Sequence, residues 1–341
     1  MALERSVVVA TFNRGPLLER LLGQLCAQSL EPARYEVIVV DDGSTVPAAS
    51  FVDRARYACA VLVLRQPNAG AAAARHRGIL AARGELLVLI DDDMQVPKGY
   101  LAAHLAAHPP GSRRAVLGRI KADPAIAGMP LFERWYAHRL HGLAARLAAG
   151  SLRLDGSCLY TGNVSLGRRD YLAAGGFDAE LARSEDAELG LRLEDSGVEL
   201  GFAPEAYSLH GSDHTDEDGW LRRAFLYGVF DSRIGAKHPA RASADPWRYL
   251  FKISAPARPL LAAAALAPGA SRPISRAVLS VGHLVDRLGL ARAAYASSAV
   301  AYSMEYFRGV RAEAGSVTAT VDALARHVGL RRRDRREHRP C

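Results

Sequence analysis

Two runs of aspartate stand where chemistry is easily placed. Asp41-Asp42-Gly43-Ser44 follows an apolar stretch at 37–40, and Asp91-Asp92-Asp93 follows another at 86–90. In open α/β sheets, ligands bind beyond the carboxyl ends of the strands, so both runs are expected at one crevice. Three adjacent carboxylates repel one another. A bound divalent cation relieves that repulsion, and hard cations take oxygen ligands. Alternate side chains in extended chain point the same way, so Asp91 and Asp93 are expected to share a site while Asp92 turns aside. The plainer use of either run is a turn or a helix N-cap.

The elements that would position these residues can be read from the hydrophobic pattern. Residues 7–10, 35–40, 61–64 and 86–90 are continuous apolar runs, as expected for strands covered on both faces. Between them, 17–25 and the Ala-rich 71–82 have helical spacing. Strands alternating with helices predict βαβ units and a mainly parallel sheet flanked by helices. A strand is predicted at 115–120, and helices at 131–147 and 185–193. From 241 onward the chain reads as helical, with breaks at Pro256, Pro259, Pro268 and Pro273. The expected division is 1–110 and 111–240 as two halves of one α/β domain, 241–330 as a helical extension, and 331–341 as a disordered basic tail. No internal repeat is visible.

The chain has 341 residues, 49% hydrophobic and 23% charged, which suits one large α/β domain with an appendage. Cys26, Cys59, Cys158 and Cys341 form no CxxC pair, so neither a disulfide framework nor a zinc site is expected, and a reducing, cytoplasmic setting is. The first residues do not read as a signal peptide, and no run approaches the roughly 20 apolar residues of a membrane span. The net charge of +8 is lopsided. Residues 1–240 carry 27 basic and 29 acidic side chains, net −2, whereas 241–341 carry 17 and 7, net +10. That excess includes Arg331-Arg332-Arg333-Asp334-Arg335-Arg336 and reads as a solvated tail or as a patch for anionic lipid or nucleic acid. Within it, Val278, Val281, Leu284, Val285 and Leu288 fall on one side of a helix, with Arg276, Ser280, His283 and Arg287 on another. Packing against the rest of the protein is the first expectation for that helix, and a place in a membrane interface the second.

Read in order, several motifs resemble the family 2 glycosyltransferases of the GT-A fold. Val7-Val8-Val9-Ala10-Thr11-Phe12-Asn13-Arg14 and Val39-Val40-Asp41-Asp42-Gly43-Ser44-Thr45 resemble the family's opening. Asn68-x-Gly70-x4-Arg75-x2-Gly78 resembles its next motif, and Gly84-Glu85-Leu86-Leu87-Val88-Leu89-Ile90-Asp91-Asp92-Asp93 its DxD strand. Thr161-Gly162-Asn163-Val164-Ser165 and Gly175-Gly176-Phe177-Asp178 resemble acceptor-side motifs. Ser184-Glu185-Asp186-x-Glu188-Leu189 resembles the segment that holds the catalytic base, with Glu188 where Asp is commoner. The match runs from about 6 to 210; no such motif covers 241–341.

The resemblance implies an inverting transferase, of the hexosyltransferase kind, that moves a sugar from a nucleotide diphosphate to an acceptor hydroxyl with Mn²⁺ or Mg²⁺. It implies that Thr11, Asn13, Arg14, Asp42, Arg75, Asp91 and Asp92 serve the nucleotide sugar, with Thr11 and Asp42 toward the base and Asp91 toward the ribose. Asp93 would bind the metal and His210 would be its further ligand, with His214 as the alternative. Asp186 would be the general base, and Gly162, Asn163 and Glu185 would line the acceptor or sugar side. A carboxylate is chemically suited to that task, because a hydroxyl is a poor nucleophile until its proton is taken. Ser184, Glu185 and Asp186 also suit a helix N-cap and first turn, and the two uses are compatible. The expected partners are the sugar donor, a saccharide or lipid-linked acceptor of cell-envelope polysaccharide or glycolipid assembly, and a peripheral contact with the inner face of an anionic membrane. A nucleotidylyltransferase would need a Gly-rich basic loop after the first strand, where Thr11-Phe12-Asn13-Arg14-Gly15-Pro16 has one glycine and one arginine. A dehydrogenase would need GxGxxG there. A nucleic-acid-binding protein would need aromatics interleaved with the terminal arginines, and it leaves the aspartates without a use.

Overall fold

The computed structural model describes residues 4–337 and consists of two compact units. The first comprises the chain up to Ala127 together with Ala137–Asp213; the second comprises Gly128–Tyr136 and the chain from His214 onward.

The first unit is built on β1 (Arg5–Thr11), α1 (Gly15–Leu25), β2 (Tyr35–Asp41), β3 (Ala60–Arg65), α2 (Ala71–Ala81) and β4 (Leu86–Ile90). It continues through β5 (Met94–Gln95), α3 (Tyr100–Ala106), β6 (Arg114–Ala122), α4 (Leu131–Ala148), β7 (Asn163–Gly167), α5 (Arg168–Ala173), α6 (Glu185–Asp195) and β8 (Glu199–His210). The first turns of α4, up to Tyr136, are grouped with the second unit. The strands lie in the order β3-β2-β1-β4-β7-β6-β8-β5. β1 pairs parallel to both β2 and β4, β6 is parallel to β8, and β7 and β5 run against their neighbours. The strand order reverses about β1, which opens a crevice at the carboxyl ends of β1 and β4.

Alternation along the apolar runs explains the two layers. Val7, Val9, Val37, Val39, Val88 and Ile90 pack with Leu18, Leu21, Leu22 and Leu25 of α1 on one face. Val8, Ile38, Val40, Leu87 and Leu89 pack with Ala74 and Ile79 of α2 on the other. With both faces covered, the strands have no solvent side and read as unbroken hydrophobic runs. Cys26 and Cys59, distant in sequence, meet in this core as free thiols, with Cys59 Sγ donating to Cys26 Sγ at 2.7 Å.

The second unit is helical: α7 (Glu217–Lys237), α8 (Arg248–Lys252), α9 (Arg258–Leu266), α10 (Pro268–Arg287), α11 (Ala291–Ala314) and α12 (Val317–Glu337). Helix α11 is its centre. Gly228 of α7 and Gly309 of α11 let those helices touch: a Cβ on Gly228 would sit 1.9 Å from the Tyr306 carbonyl oxygen, and one on Gly309 2.0 Å from that of Phe225. Trp247, Leu261, Met304, Phe307 and Val310 fill one core cluster, and Phe132, Trp135, Trp220, Leu279 and Ala301 fill another. Two buried polar pairs lie among these helices: Tyr306 Oη donates to Asp231 at 2.7 Å and Ser275 Oγ to Glu305 at 2.8 Å.

Three sequence expectations change here. Pro273 does not end the helix but lies inside α10, as its sixth residue. The expected disordered tail from 331 is helical as far as Glu337, and 338–341 lie outside the described residues. On α10 the side that packs is not the one the apolar spacing indicated. Ser271, Ser275, Leu279 and Gly282 are buried, whereas Val281, Leu284 and Leu288 are exposed. Small side chains permit the closer helix approach, so they took the inner face.

Candidate active site

The carboxyl ends of the strands collect two acidic groupings, each held by an arginine. The first is centred on Arg75, projected from the second turn of α2. Its Nη2 lies 2.5 Å from Asp91 Oδ1, and its Nη1 3.5 Å from Glu185 Oε1. Burial alone would lower the pKa of Arg75, but the Asp91 and Glu185 carboxylates outweigh it and hold the guanidinium charged. Asp91 presses against Gly162: its backbone N–H donates to the Gly162 carbonyl at 3.3 Å, and a Cβ at Gly162 would lie 2.8 Å from Asp91 Oδ2. The preceding Thr161 N–H donates to Asp186 Oδ2 at 3.4 Å, and Ala187 N–H donates to Asp186 Oδ1 at 2.8 Å. Asp91, Gly162, Glu185 and Asp186 are thus brought together.

Asp186 opens helix α6. Burial is the main reason its carboxyl is pushed up to about 7, with the neighbouring Glu185 charge adding to it and Arg75 opposing. Ser184 before it adopts a left-handed backbone (φ 58°) and makes no side-chain cap. A non-glycine residue held there is strained, a feature that concentrates at functional sites. Glu188, one turn on, is buried and paired by Arg192, whose guanidinium also donates to the Gly176 carbonyl at 2.7 Å. It ties α6 to the Gly175-Gly176 turn.

The second grouping is centred on Arg14. Its Nη1 is 3.2 Å from Asp92 Oδ1 and 2.9 Å from Asp93 Oδ2, and its Nη2 is 2.7 Å from Asp213 Oδ1. Thr11 Oγ1 donates to Asp92 Oδ2 at 2.7 Å. Burial raises the Asp92 carboxyl to about 6, against the Thr11 hydrogen bond and the Arg14 charge. His210, at the end of β8 beside β5, places Nε2 3.7 Å from Asp93 Oδ2.

Several expected roles are corrected by these positions. The chain does not stay extended through the aspartates; it turns at Asp92–Asp93, with Met94 N–H donating to the Asp91 carbonyl at 3.3 Å. Asp92 and Asp93 therefore converge on Arg14, and Asp91 faces Arg75 instead. Asp42 is buried and spoken for: it accepts from Gln66 Nε2, Ala69 N–H and Gly70 N–H at 2.8–2.9 Å, and so fixes the loop before α2. Asp41 accepts from Ser44 and Ala48 N–H groups, so the first aspartate run is a turn. Thr11 spends its hydroxyl on Asp92. Asn13, also left-handed (φ 56°), accepts from Thr45 N–H at 2.8 Å and is exposed. Asn163 is wholly buried, bonded to Tyr100, His104, Ala206 and Ser208, so it holds the strands behind Gly162 and its side chain cannot touch a ligand. His104, in the same network, is lowered to about 4 by burial and works as a neutral ring. Asp213 was missed: it reaches Arg14 across 199 residues, and no local pattern marks it.

Bonds from Mg²⁺ or a like-sized ion to its ligands run about 2.1 Å, so two ligand atoms up to about 4 Å apart can hold one ion. Asp93 Oδ2 and His210 Nε2, 3.7 Å apart, meet that limit. Among the described residues no group of three or more His, Cys, Asp or Glu is arranged to hold an ion. Such an ion would complete its shell with water and ligand oxygens, which is how Mg²⁺ is commonly held beside phosphates. That Arg14 already rests its charge on Asp93 fits a spot that favours cations.

Comparison with known proteins bears on the family and the fold. The model of glycosyl transferase family 2 matches residues 6–158. Validoxylamine A glucosyltransferase of Streptomyces hygroscopicus subsp. limoneus is 29% identical over 266 residues, covering 69% of this chain and 57% of that protein. Pre-mycofactocin glycosyltransferase of Mycobacterium tuberculosis is 29% identical over 241 residues, covering 70% of this chain and 49% of that protein. The chain thus spans only 49–57% of the length of these curated relatives. Among solved structures, a mannosyltransferase from Pyrobaculum calidifontis in complex with GDP-Man and Mn²⁺ is similar at a TM-score of 0.56 and 20% identity, covering 87% of this chain and 85% of the other. That likeness is one of fold: the mixed, mostly parallel sheet flanked by helices, with a C-terminal helical region, is of the GT-A kind that the motifs implied. Residues 6–158 thus carry the sequence pattern of glycosyl transferase family 2.

Proposed function

We propose that the protein is an inverting glycosyltransferase that moves a sugar, a hexose by the resemblance, from a nucleotide diphosphate to an acceptor hydroxyl. The observation that carries this reading is the short path from Asp91 through Thr161-Gly162 to Asp186, which sets a raised carboxylate beside the aspartate run. The names of the relatives, two of them glycosyltransferases, and the GDP-Man and Mn²⁺ bound by the structural neighbour support the same class of donor.

In the reaction the acceptor oxygen attacks the anomeric carbon as the bond to the diphosphate oxygen breaks, and the acceptor proton passes to Asp186. A carboxyl poised near neutrality is suited to that transfer. Displacement from the opposite face inverts the anomeric centre. Arg75 fixes Asp91 and Glu185 so that the base stands in a set frame. Asp93 and His210 would hold Mn²⁺ or Mg²⁺, which when bound would neutralise charge on the diphosphate. Arg14, on leaving Asp93, is within the same pocket to pair with a diphosphate oxygen. Asn13 is the exposed residue for donor contact, and Thr11, Asp42 and Asp92 act through the loops and side chains they fix. Residues 111–240 supply the acceptor side. No helix among the described residues is long and apolar enough to cross a membrane. A cytoplasmic enzyme that meets an anionic membrane peripherally, with a saccharide or lipid-linked acceptor, fits this and the basic C-terminal third.

A panel of nucleotide-diphosphate sugars, assayed with Mn²⁺, tests the reading. One of them should be consumed, EDTA should stop the reaction, and Asp93→Ala should abolish transfer and weaken donor binding while the thermal melt is unchanged. Full transfer after EDTA treatment would remove the metal assignment.

A further inference from the structure

Helix α10 has three faces. At about 3.6 residues per turn, their centres lie about 120° apart. Ser271, Ser275, Leu279 and Gly282 are buried. Arg272, Arg276, Ser280, His283 and Arg287 form a polar face. Ile274, Ala277, Val281, Leu284 and Leu288 form an apolar face that is open among the described residues, with Ile274 40%, Val281 56%, Leu284 58% and Leu288 68% exposed. Leu290, just past the helix, is also exposed. Beside this face a shallow apolar recess of about 440 Å³ is lined by Pro273, Ile274, Ala277, Val278, Val281 and Ser297. A contiguous exposed patch of this kind marks an interaction surface.

We propose that this face docks the second unit on an anionic lipid surface, with α10 lying in the plane of the interface. The choice of occupant rests on charge. Arg276 and His283 are already matched by Asp218 and Glu217. Arg272, Arg287 and Arg292 stand exposed beside the apolar face, and residues 241–341 carry a net +10. An interfacial helix needs both an apolar face to enter the acyl boundary and cations to meet the headgroups. A second copy meeting this face about a two-fold axis would bring the same arginines against each other, which disfavours self-association. The inference concerns the second unit alone and does not depend on the transfer reaction.

The test is co-sedimentation of the full chain with vesicles, at low and at high salt. Vesicles of phosphatidylcholine mixed with phosphatidylglycerol should bind the protein at low salt, and pure phosphatidylcholine should bind it far less. The combined variant Val281→Ser, Leu284→Ser, Leu288→Ser changes only exposed side chains, so its thermal melt should match the parent while its vesicle affinity falls at least about tenfold. Arg287→Gln with Arg292→Gln should weaken binding about fivefold per arginine and flatten the salt dependence. Three results would each overturn the proposal: no binding of the parent to anionic vesicles, equal binding by the serine variant, or a dimer in sedimentation velocity that the serine variant dissolves.

Discussion

Arg75 and Arg14 do the same thing in two ways, and the difference between them separates frame from working part. Each guanidinium gathers carboxylates that would otherwise repel. The Arg75 side chain is only 10% exposed and reaches Asp91 and Glu185 from the interior of the helix layer. The Arg14 side chain is 23% exposed, sits on a left-handed loop, and leans on Asp92, Asp93 and Asp213 from the solvent side. A charge inside a low-dielectric site cannot be withdrawn without stranding its partners, whereas one at the rim can leave. In the proposed reaction Arg75 therefore belongs to the scaffold around Asp186, and Arg14 to the part that would give way to a cation and a diphosphate.

The comparison can be broken from either side. Arg75→Ala strands Asp91 and Glu185, and should cost about 3–5 kcal/mol in urea or thermal unfolding along with transfer activity. Arg75→Lys keeps the charge but loses the planar fork, and should recover part of that stability and less of the activity. A fully stable Arg75→Ala protein would mean that the pair is not a frame. The smaller effect is at the rim. Arg14→Met should change stability by about 1 kcal/mol or less, because solvent screens a partly exposed pair. By clearing Asp93 it should tighten Mn²⁺ binding to the protein alone in calorimetry, while raising KM for the donor. Weaker Mn²⁺ binding in that variant would show that Arg14 and the ion do not compete.

The sequence was informative where chemistry follows a strand or opens a helix. The strand runs, the placement of Asp91–Asp93 after β4 and of Asp186 at the start of α6 were all legible, because hydrophobic period and turn residues are local signals. What stayed hidden was set by tertiary geometry. The turn at Asp92–Asp93 replaced the extended pattern that would have paired Asp91 with Asp93. Asn163 lies in a motif that reads as acceptor-binding, yet its amide is consumed by Tyr100 and His104 of α3 and Ser208 of β8, two elements distant in sequence. The Arg14–Asp213 contact joins opposite ends of the first unit. In α10 the period announced an amphipathic helix but not which face would be buried, since Ser271, Ser275 and Gly282 carry no hydrophobic signal.

The account stands or falls on Asp186, and the most direct measurement is kcat against pH for the parent and for Asp186→Asn. With its carboxyl at about 7 in the fold against 3.8 in a model carboxylate, Asp186 is protonated in the native state well above the pH at which it ionises in the unfolded chain. The native state accordingly loses stability as pH rises between those values, while the fraction of ionised base grows. Turnover should therefore climb with pH through a midpoint near 7. Asp186→Asn should lower kcat by about 10²–10⁴-fold, remove that rising limb and leave donor binding little changed. A flat profile in the parent, or near-normal turnover in the Asn variant, would contradict the assignment of the base and send it first to Glu185.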